Sequence, residues 1–142
     1  MSKEFDRIII PIDGSEYSKR AAYKAITIAK NTDVEVYAIH IIHHNLLLIH
    51  PELFQTVEKR FIEDAKEFLQ EIDTMGKKSG IRIQKKIIQG IPYEEIIKFA
   101  DKKNLIVIGN KGKTGLDKVF IGGVAEKVIR YAPCDVLIVK TD

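Results

Sequence analysis

Apolar residues are distributed along this chain in two kinds of segment that take turns from one end to the other. Residues 8–12 (Ile-Ile-Ile-Pro-Ile), 34–42, 105–108 and 136–139 are short runs dominated by Ile, Val and Leu, and residues 81–88 alternate apolar with polar. Short apolar runs of this length are expected of strands covered on both faces. Between them lie amphipathic stretches. Ser15 is placed to cap a helix over 16–30, where Ala21, Ala22, Ala25, Ile28 and Ala29 form a narrow apolar stripe suited to close packing on a sheet. Pro51 fits a first helical position, and a long helix follows to about Lys78, with Phe54, Phe61, Phe68 and Met75 at every seventh residue and Val57, Ala65 and Ile72 between them. We take that stripe as helix-to-sheet core rather than a cofactor box or a coiled coil. Gly90-Ile91-Pro92 opens a helix through Ile96, Ile97 and Ala100, and Val124, Ala125, Val128 and Ile129 mark the face of a last one. Residues 43–50, with Leu46 to Ile49, stay open between a pocket loop, an interface patch and an extra helical turn.

The order βαβαβαβαβ predicts an α/β fold, a three-layer sandwich in which a five-stranded parallel sheet lies between helices joined by right-handed crossovers. At 142 residues, 45% of them hydrophobic, the chain is expected to form a single domain over 1–142. It contains no stretch of about 20 uncharged apolar residues, and the polar first seven residues do not resemble a secretory signal. A soluble, cytoplasmic protein with no membrane partner is expected. The lone Cys134 cannot form an internal disulfide or a cysteine-based zinc site, and it is expected to be a small buried hydrophobe. The 23 basic residues are balanced by 20 acidic ones spread along the chain, and the pairs Lys77-Lys78, Lys85-Lys86 and Lys102-Lys103 lack interleaved aromatics, so no nucleic-acid partner is called for. His40, His43, His44 and His50 do not make a metal site, because adjacent histidines on a strand point to opposite faces and no carboxylate or cysteine is spaced to complete one. His40 is expected to be a partly buried strand residue and the others to edge a pocket mouth.

Parallel sheets of this kind bind ligands beyond the carboxyl ends of their strands, where the direction of travel across the sheet reverses. Asp13 and Gly109 both follow strands at that rim. Residues 104–124 hold five of the chain's nine glycines, Gly109, Gly112, Gly115, Gly122 and Gly123, in a loop between a strand and a helix start. Small residues there let main-chain N–H groups turn toward an anion, and the following helix adds its amino-terminal dipole. A phosphate cradle and a purely structural strand-to-helix turn are both open on this pattern alone. Gly112-Lys113-Thr114 imitates the end of a Walker A loop, but Val107 stands where that motif needs its first glycine, and no G-x-G-x-x-G is present.

The spacing Gly109, two residues, Gly112, nine residues, Gly122 resembles the phosphate motif of the universal stress protein family, in its ATP-binding branch. Further likeness lies in Ile-Ile-Pro-Ile-Asp-Gly-Ser at 9–15, the strand ending His40-Ile41-Ile42, Gly-Ile-Pro at 90–92 and Cys-Asp-Val-Leu-Ile-Val at 134–139, so that nearly the whole chain is covered. The resemblance implies strand order 3-2-1-4-5, with ATP between strands one and four and Mg2+ or Mn2+ accompanying it. It implies Asp13 at the ribose, Ile41 at the adenine with Pro11 beside it, Ile108 within the nucleotide site, and phosphates against the backbone of Gly109, Asn110, Lys111, Gly112, Lys113 and Thr114 and of Gly122, Gly123 and Val124. Asp13 as a plain turn or cap residue is the bland alternative. It further implies a homodimer through the C-terminal strand, where residues 136–140 would otherwise leave an exposed apolar edge.

One position departs from the family pattern. Gly123 stands where a Ser or Thr hydroxyl normally meets phosphate, and losing that donor should weaken binding by about 1 to 2 kcal/mol, or about 5- to 30-fold. No nucleophile with a positioned base, no catalytic carboxylate pair and no magnesium-binding acidic residue of the Walker type is evident, so the expected role is a nucleotide-dependent switch or signalling module in stress response, with an unidentified protein partner and at most slow ATP hydrolysis. Two alternatives are a nucleotide-independent interaction module of the same fold and an enzyme that adenylates a substrate. The second needs a signature after strand one that Asp13-Gly14-Ser15-Glu16 does not supply.

Overall fold

The computed structural model describes residues 4–43, 53–112 and 121–141. Five strands, β1 (Arg7–Pro11), β2 (Glu35–His43), β3 (Ile83–Gly90), β4 (Asn104–Gly109) and β5 (Asp135–Val139), alternate with four helices, α1 (Glu16–Lys30), α2 (Phe54–Lys78), α3 (Pro92–Phe99) and α4 (Gly123–Tyr131). All neighbouring strands are parallel, in the order β3-β2-β1-β4-β5. The expected architecture and strand order are therefore present.

The central strand shows why its sequence is apolar at consecutive positions. Ile8, Ile10 and Ile12 join the core under α1 and α2 with Val36, Ala38 and Val107, whereas Ile9 joins the core under α3 and α4 with Ile39, Ile106 and Ile108. Ile8, Ile9 and Ile10 are fully buried, and burial of each such side chain contributes about 1.5 to 3 kcal/mol before entropy is counted. In α1 the alanines at 21, 22, 25 and 29 are the contact face. Ser15 caps this helix as expected, its hydroxyl accepting from the Ser18 amide at 3.2 Å.

Two details differ from the sequence pattern. Strand three begins at Ile83, not at 81, because the Ile81 amide is used to end α2: it donates to the Gly76 carbonyl at 2.8 Å, while the Gly80 amide donates to Lys77 at 3.1 Å. This pairing needs a left-handed residue after the helix, and Gly80 supplies it at φ +72°. The seven-residue aromatic spacing also overstates the core face of α2. Ala65, Leu69, Ile72 and Gly76 are buried, Phe61, Phe68 and Met75 lie at the shoulder, and Phe54 is exposed. Asp73, on the buried face, accepts from Lys85 Nζ at 3.0 Å and lies 3.6 Å from Lys77 Nζ; these two cations, Lys85 foremost, hold its carboxyl below the usual range. The proposed helix start at Pro51 and most of the open segment at 43–50 lie outside the described residues. Among the described residues no helix is long and apolar enough to cross a membrane.

Candidate functional site

From β1 the chain crosses outward through β2 to β3, then returns to place β4 on the other side of β1. Loops leaving β1 and β4 therefore diverge, and a cleft opens beyond their carboxyl ends. A cavity of about 480 Å³ occupies it, within the range of small-molecule sites. Pro11, Ile39, Ile41 and Ile108 line it from the strands, Pro92 and Ile96 from α3, and Gly122 to Ala125 from the start of α4. Four side chains bring polarity to these walls: Asp13, Ser18, His43 and Lys111. At the opposite end of the sheet a cavity of about 550 Å³ is bordered by Asp6, Asp33, Glu35 and Asp101 around Arg7. Its carboxylates oppose any polyanion, and Arg7 is occupied there, donating to the Phe99 carbonyl at 2.8 Å and to Asn104 Oδ1 at 3.0 Å while lying against the Tyr37 and Phe99 rings.

Asp13 is both a turn residue and a cavity residue. Its Oδ1 accepts from the Ser15 amide at 2.9 Å and from Ser15 Oγ at 2.5 Å, and the same Oγ caps α1. Ser18 Oγ, in turn, donates to the Ser15 carbonyl at 2.9 Å. With one oxygen anchored, the other is directed across the cleft: a Cβ placed on Gly112 would stand 3.2 Å from Asp13 Oδ2. The carboxylate is thus preorganised to accept hydrogen bonds from a ligand lying between β1 and the glycine loop.

The glycines divide into two groups. A Cβ on Gly109 would lie 2.7 Å from the Tyr17 carbonyl oxygen, so the end of β4 passes too close to α1 for any side chain. Gly122 lies against the Lys111 and Gly112 backbone, and its amide donates to the Asn110 carbonyl at 2.6 Å. Gly112 faces Asp13, and Gly123 faces open space. The first intrahelical bond of α4 runs from the Glu126 amide to the Gly122 carbonyl, and Gly122 offers no side-chain cap. The amides of Gly123, Val124 and Ala125 consequently have no partner within the helix, and the residues that carry them line the cavity at the positive end of the helix dipole.

Of the residues singled out from sequence, Pro11, Asp13, Ile41, Ile108, Gly109, Lys111, Gly112, Gly122, Gly123 and Val124 line this one cavity. Lys113 and Thr114 lie outside the described residues. Asn110 does not line it: its side chain is 2% exposed and turned toward the C-terminus, where Oδ1 accepts from the Thr141 amide at 3.1 Å. The Gly122 amide, expected among the phosphate donors, is the one already bonded to Asn110. Lys111 lies 5.8 Å from the centre of the Tyr17 ring. His43 does edge the cavity, while His40 sits on the other face, its Nδ1 2.6 Å from the Ile12 carbonyl oxygen and its ring edge-on to Phe68. His44 and His50 lie outside the described residues. Sequence inspection missed Ile12, Ser18, Ile39, Pro92, Ile96 and Ala125. In the sequence Pro92 and Ala125 mark only helices, yet the helix that carries each brings it to the rim. Among the described residues no group of three or more His, Cys, Asp or Glu side chains is arranged to hold a metal ion. Cys134 packs half-buried beneath α4, and burial pushes its thiol up, which keeps it protonated and apolar in character.

Comparison with known proteins bears on the same features. The family model described as the universal stress protein family matches residues 4–140. Universal stress protein MJ0531 of Methanocaldococcus jannaschii is 40% identical over 140 residues, covering 96% of this chain and 82% of that protein. Among solved structures, that of the protein MJ0577 superposes with a TM-score of 0.86 at 28% identity, over 99% of each chain. The universal stress protein of Archaeoglobus fulgidus in complex with dAMP shares the fold, with a TM-score of 0.69 at 22% identity over 97% of this chain and 100% of that one. With its strand order, its glycine spacing and a match running from residue 4 to residue 140, the chain belongs to the universal stress protein family.

Proposed function

We propose that this chain, folded as one domain, binds an adenine nucleotide in the cavity beyond β1 and β4, with ATP as the physiological ligand, and works in the cytoplasm as a nucleotide-dependent switch or signalling module in stress response. The observation that carries this is the opposition, across a single apolar cavity, of the anchored Asp13 carboxylate and the start of α4, whose first-turn amides have no partner within the helix. An adenine ring is accommodated between Pro11, Ile39, Ile41 and Ile108, where the end of β2 offers main-chain groups to its edge. Asp13 Oδ2 accepts from ribose hydroxyls. Phosphates are held by the amides of Gly112, Gly123 and Val124, with Lys111 and Lys113 adding charge and a divalent cation, Mg2+ or Mn2+, carried in by the phosphates themselves. A nucleotide bound to the A. fulgidus relative supports the ligand class.

A role without rapid chemistry is supported by how the polar groups at the cavity are engaged. Ser15 Oγ donates to Asp13 Oδ1 but is spent on the α1 cap and does not line the cavity, and Ser18 Oγ, which does, donates to the Ser15 carbonyl rather than to a base. Turnover on pure protein above about 1 per second would overturn this part. The apolar edge of β5 supports a homodimer in which two such strands pair antiparallel; sedimentation as a monomer at micromolar concentration would remove it. The nucleotide assignment is tested by mass spectrometry of small molecules released from freshly purified protein, together with calorimetry under millimolar ATP. Adenine nucleotide and measurable heat are expected; the absence of both heat and a rise in Tm would sink the proposal.

A further inference from the structure

Among the described residues of the glycine loop Asn110 is held by several hydrogen bonds, although it makes no wall of the cavity. Its main-chain amide donates to the Val139 carbonyl at 3.1 Å, at the end of β5. Its carbonyl accepts from the Gly122 amide at 2.6 Å, at the cap of α4. Its side chain accepts from the Thr141 amide at 3.1 Å and donates through Nδ2 to the Thr141 carbonyl at 3.5 Å. The residue is 2% exposed, so these bonds form away from competing water. Thr141 Oγ1 is buried with no hydrogen-bond partner, which leaves the residue dependent on the main-chain bonds that Asn110 provides.

We propose that Asn110 is a positioning residue that couples the phosphate end of the cavity to the C-terminal end of the edge strand β5. The coupling presupposes a nucleotide at the seat described above. A phosphate drawn to the amides of Gly123 and Val124 fixes the first turn of α4. Gly122 is thereby held against the Asn110 carbonyl, and Asn110 can no longer shift relative to β5. Its side chain then pins Thr141, so the last residues of the sheet edge lose freedom when the ligand binds. By linkage, whatever orders that edge from outside, such as a second copy of the chain, tightens the nucleotide by the same factor.

Hydrogen exchange of the segment 136–141, followed by mass spectrometry on the full chain with and without ATP, tests this alongside calorimetry. ATP should slow exchange of the segment by about fivefold or more in the parent, the lower end of measured couplings between sites. In Asn110→Ala, and in Thr141→Pro, which removes the donor amide without touching the cavity, ATP should still bind while the ATP-dependent slowing disappears. Should Asn110→Ala fail to fold, Thr141→Pro carries the test. Heat of ATP binding without slowing in the parent, or slowing that survives Thr141→Pro, overturns the coupling and leaves the nucleotide site standing. Absence of heat in the parent overturns both, and is read in the calorimeter.

Discussion

The two glycines that flank the loop, Gly109 and Gly122, and the two that face the cavity, Gly112 and Gly123, look alike in the sequence but answer to different forces. At Gly109 a side chain is excluded by the Tyr17 backbone, and at Gly122 the amide is spent on Asn110. Both serve the packing of β4 and α4 against their neighbours. At Gly112 and Gly123 the neighbouring space belongs to the cavity: one looks at Asp13 Oδ2 and the other at nothing within 4 Å among the described residues. On the proposed function, a motif with three spaced glycines mixes a structural requirement with a binding one, and substitutions should separate them.

The sharpest separation is expected at Gly109. Gly109→Val drives a side chain into the Tyr17 carbonyl and should destabilise the fold by about 3 kcal/mol, lowering Tm by roughly 10 °C; a thermal melt with unchanged Tm would show that the flanking glycine is not structural. Next, Asp13→Ala removes a charged acceptor and should weaken ATP by about 10- to 100-fold in calorimetry, with a smaller loss of stability as Ser15 loses its partner. Gly112→Val should weaken ATP by about 10-fold while Tm stays close to the parent's, the reverse of the Gly109 outcome; a large fall in Tm would merge the two groups. Gly123→Ser adds a hydroxyl at an open helix start and should tighten ATP by about fivefold, and an unchanged or weaker dissociation constant would count against phosphate at that turn.

The smallest effect on nucleotide is expected far from the loop, at Asp73. Its folded-state pKa is lowered by Lys85, so its stabilising effect is complete above the ordinary carboxylate range and is lost as pH falls through that range toward the folded value. Urea midpoints measured from pH 7 to pH 3 should fall less steeply in Asp73→Asn than in the parent, with ATP affinity at pH 7 unaltered.

Much of the site could be anticipated because its signals are local. A strand that ends in Asp-Gly-Ser and another that ends in a glycine loop each announce a turn at the rim, which locates Asp13 and the loop glycines there, while their roles toward a ligand are what the family resemblance implies. Ser18, Ile39 and Ile96 could not be found in this way, since a small polar residue or an isoleucine inside an element carries no mark of which wall it will join. The same limit explains Asn110. Its place in the loop suggested a ligand contact, whereas its partner, Thr141, lies 31 positions away and is met only once β5 is docked beside β4.

Fold class and the location of the rim were written in the chain's alternation of apolar runs with amphipathic ones, because a strand buried on both faces and a helix buried on one leave different periodicities. Which glycines bear on packing and which on a ligand was decided only when α1 came to rest against the end of β4, since steric exclusion at Gly109 depends on a backbone 92 residues earlier in the chain. The partner of the Gly122 amide was settled in the same step, as it turned to Asn110 while Gly123 and Val124 came to line the cleft. Local sequence carries periodicity and turn chemistry, but hydrogen-bond partners and excluded volume are properties of segments brought together in space.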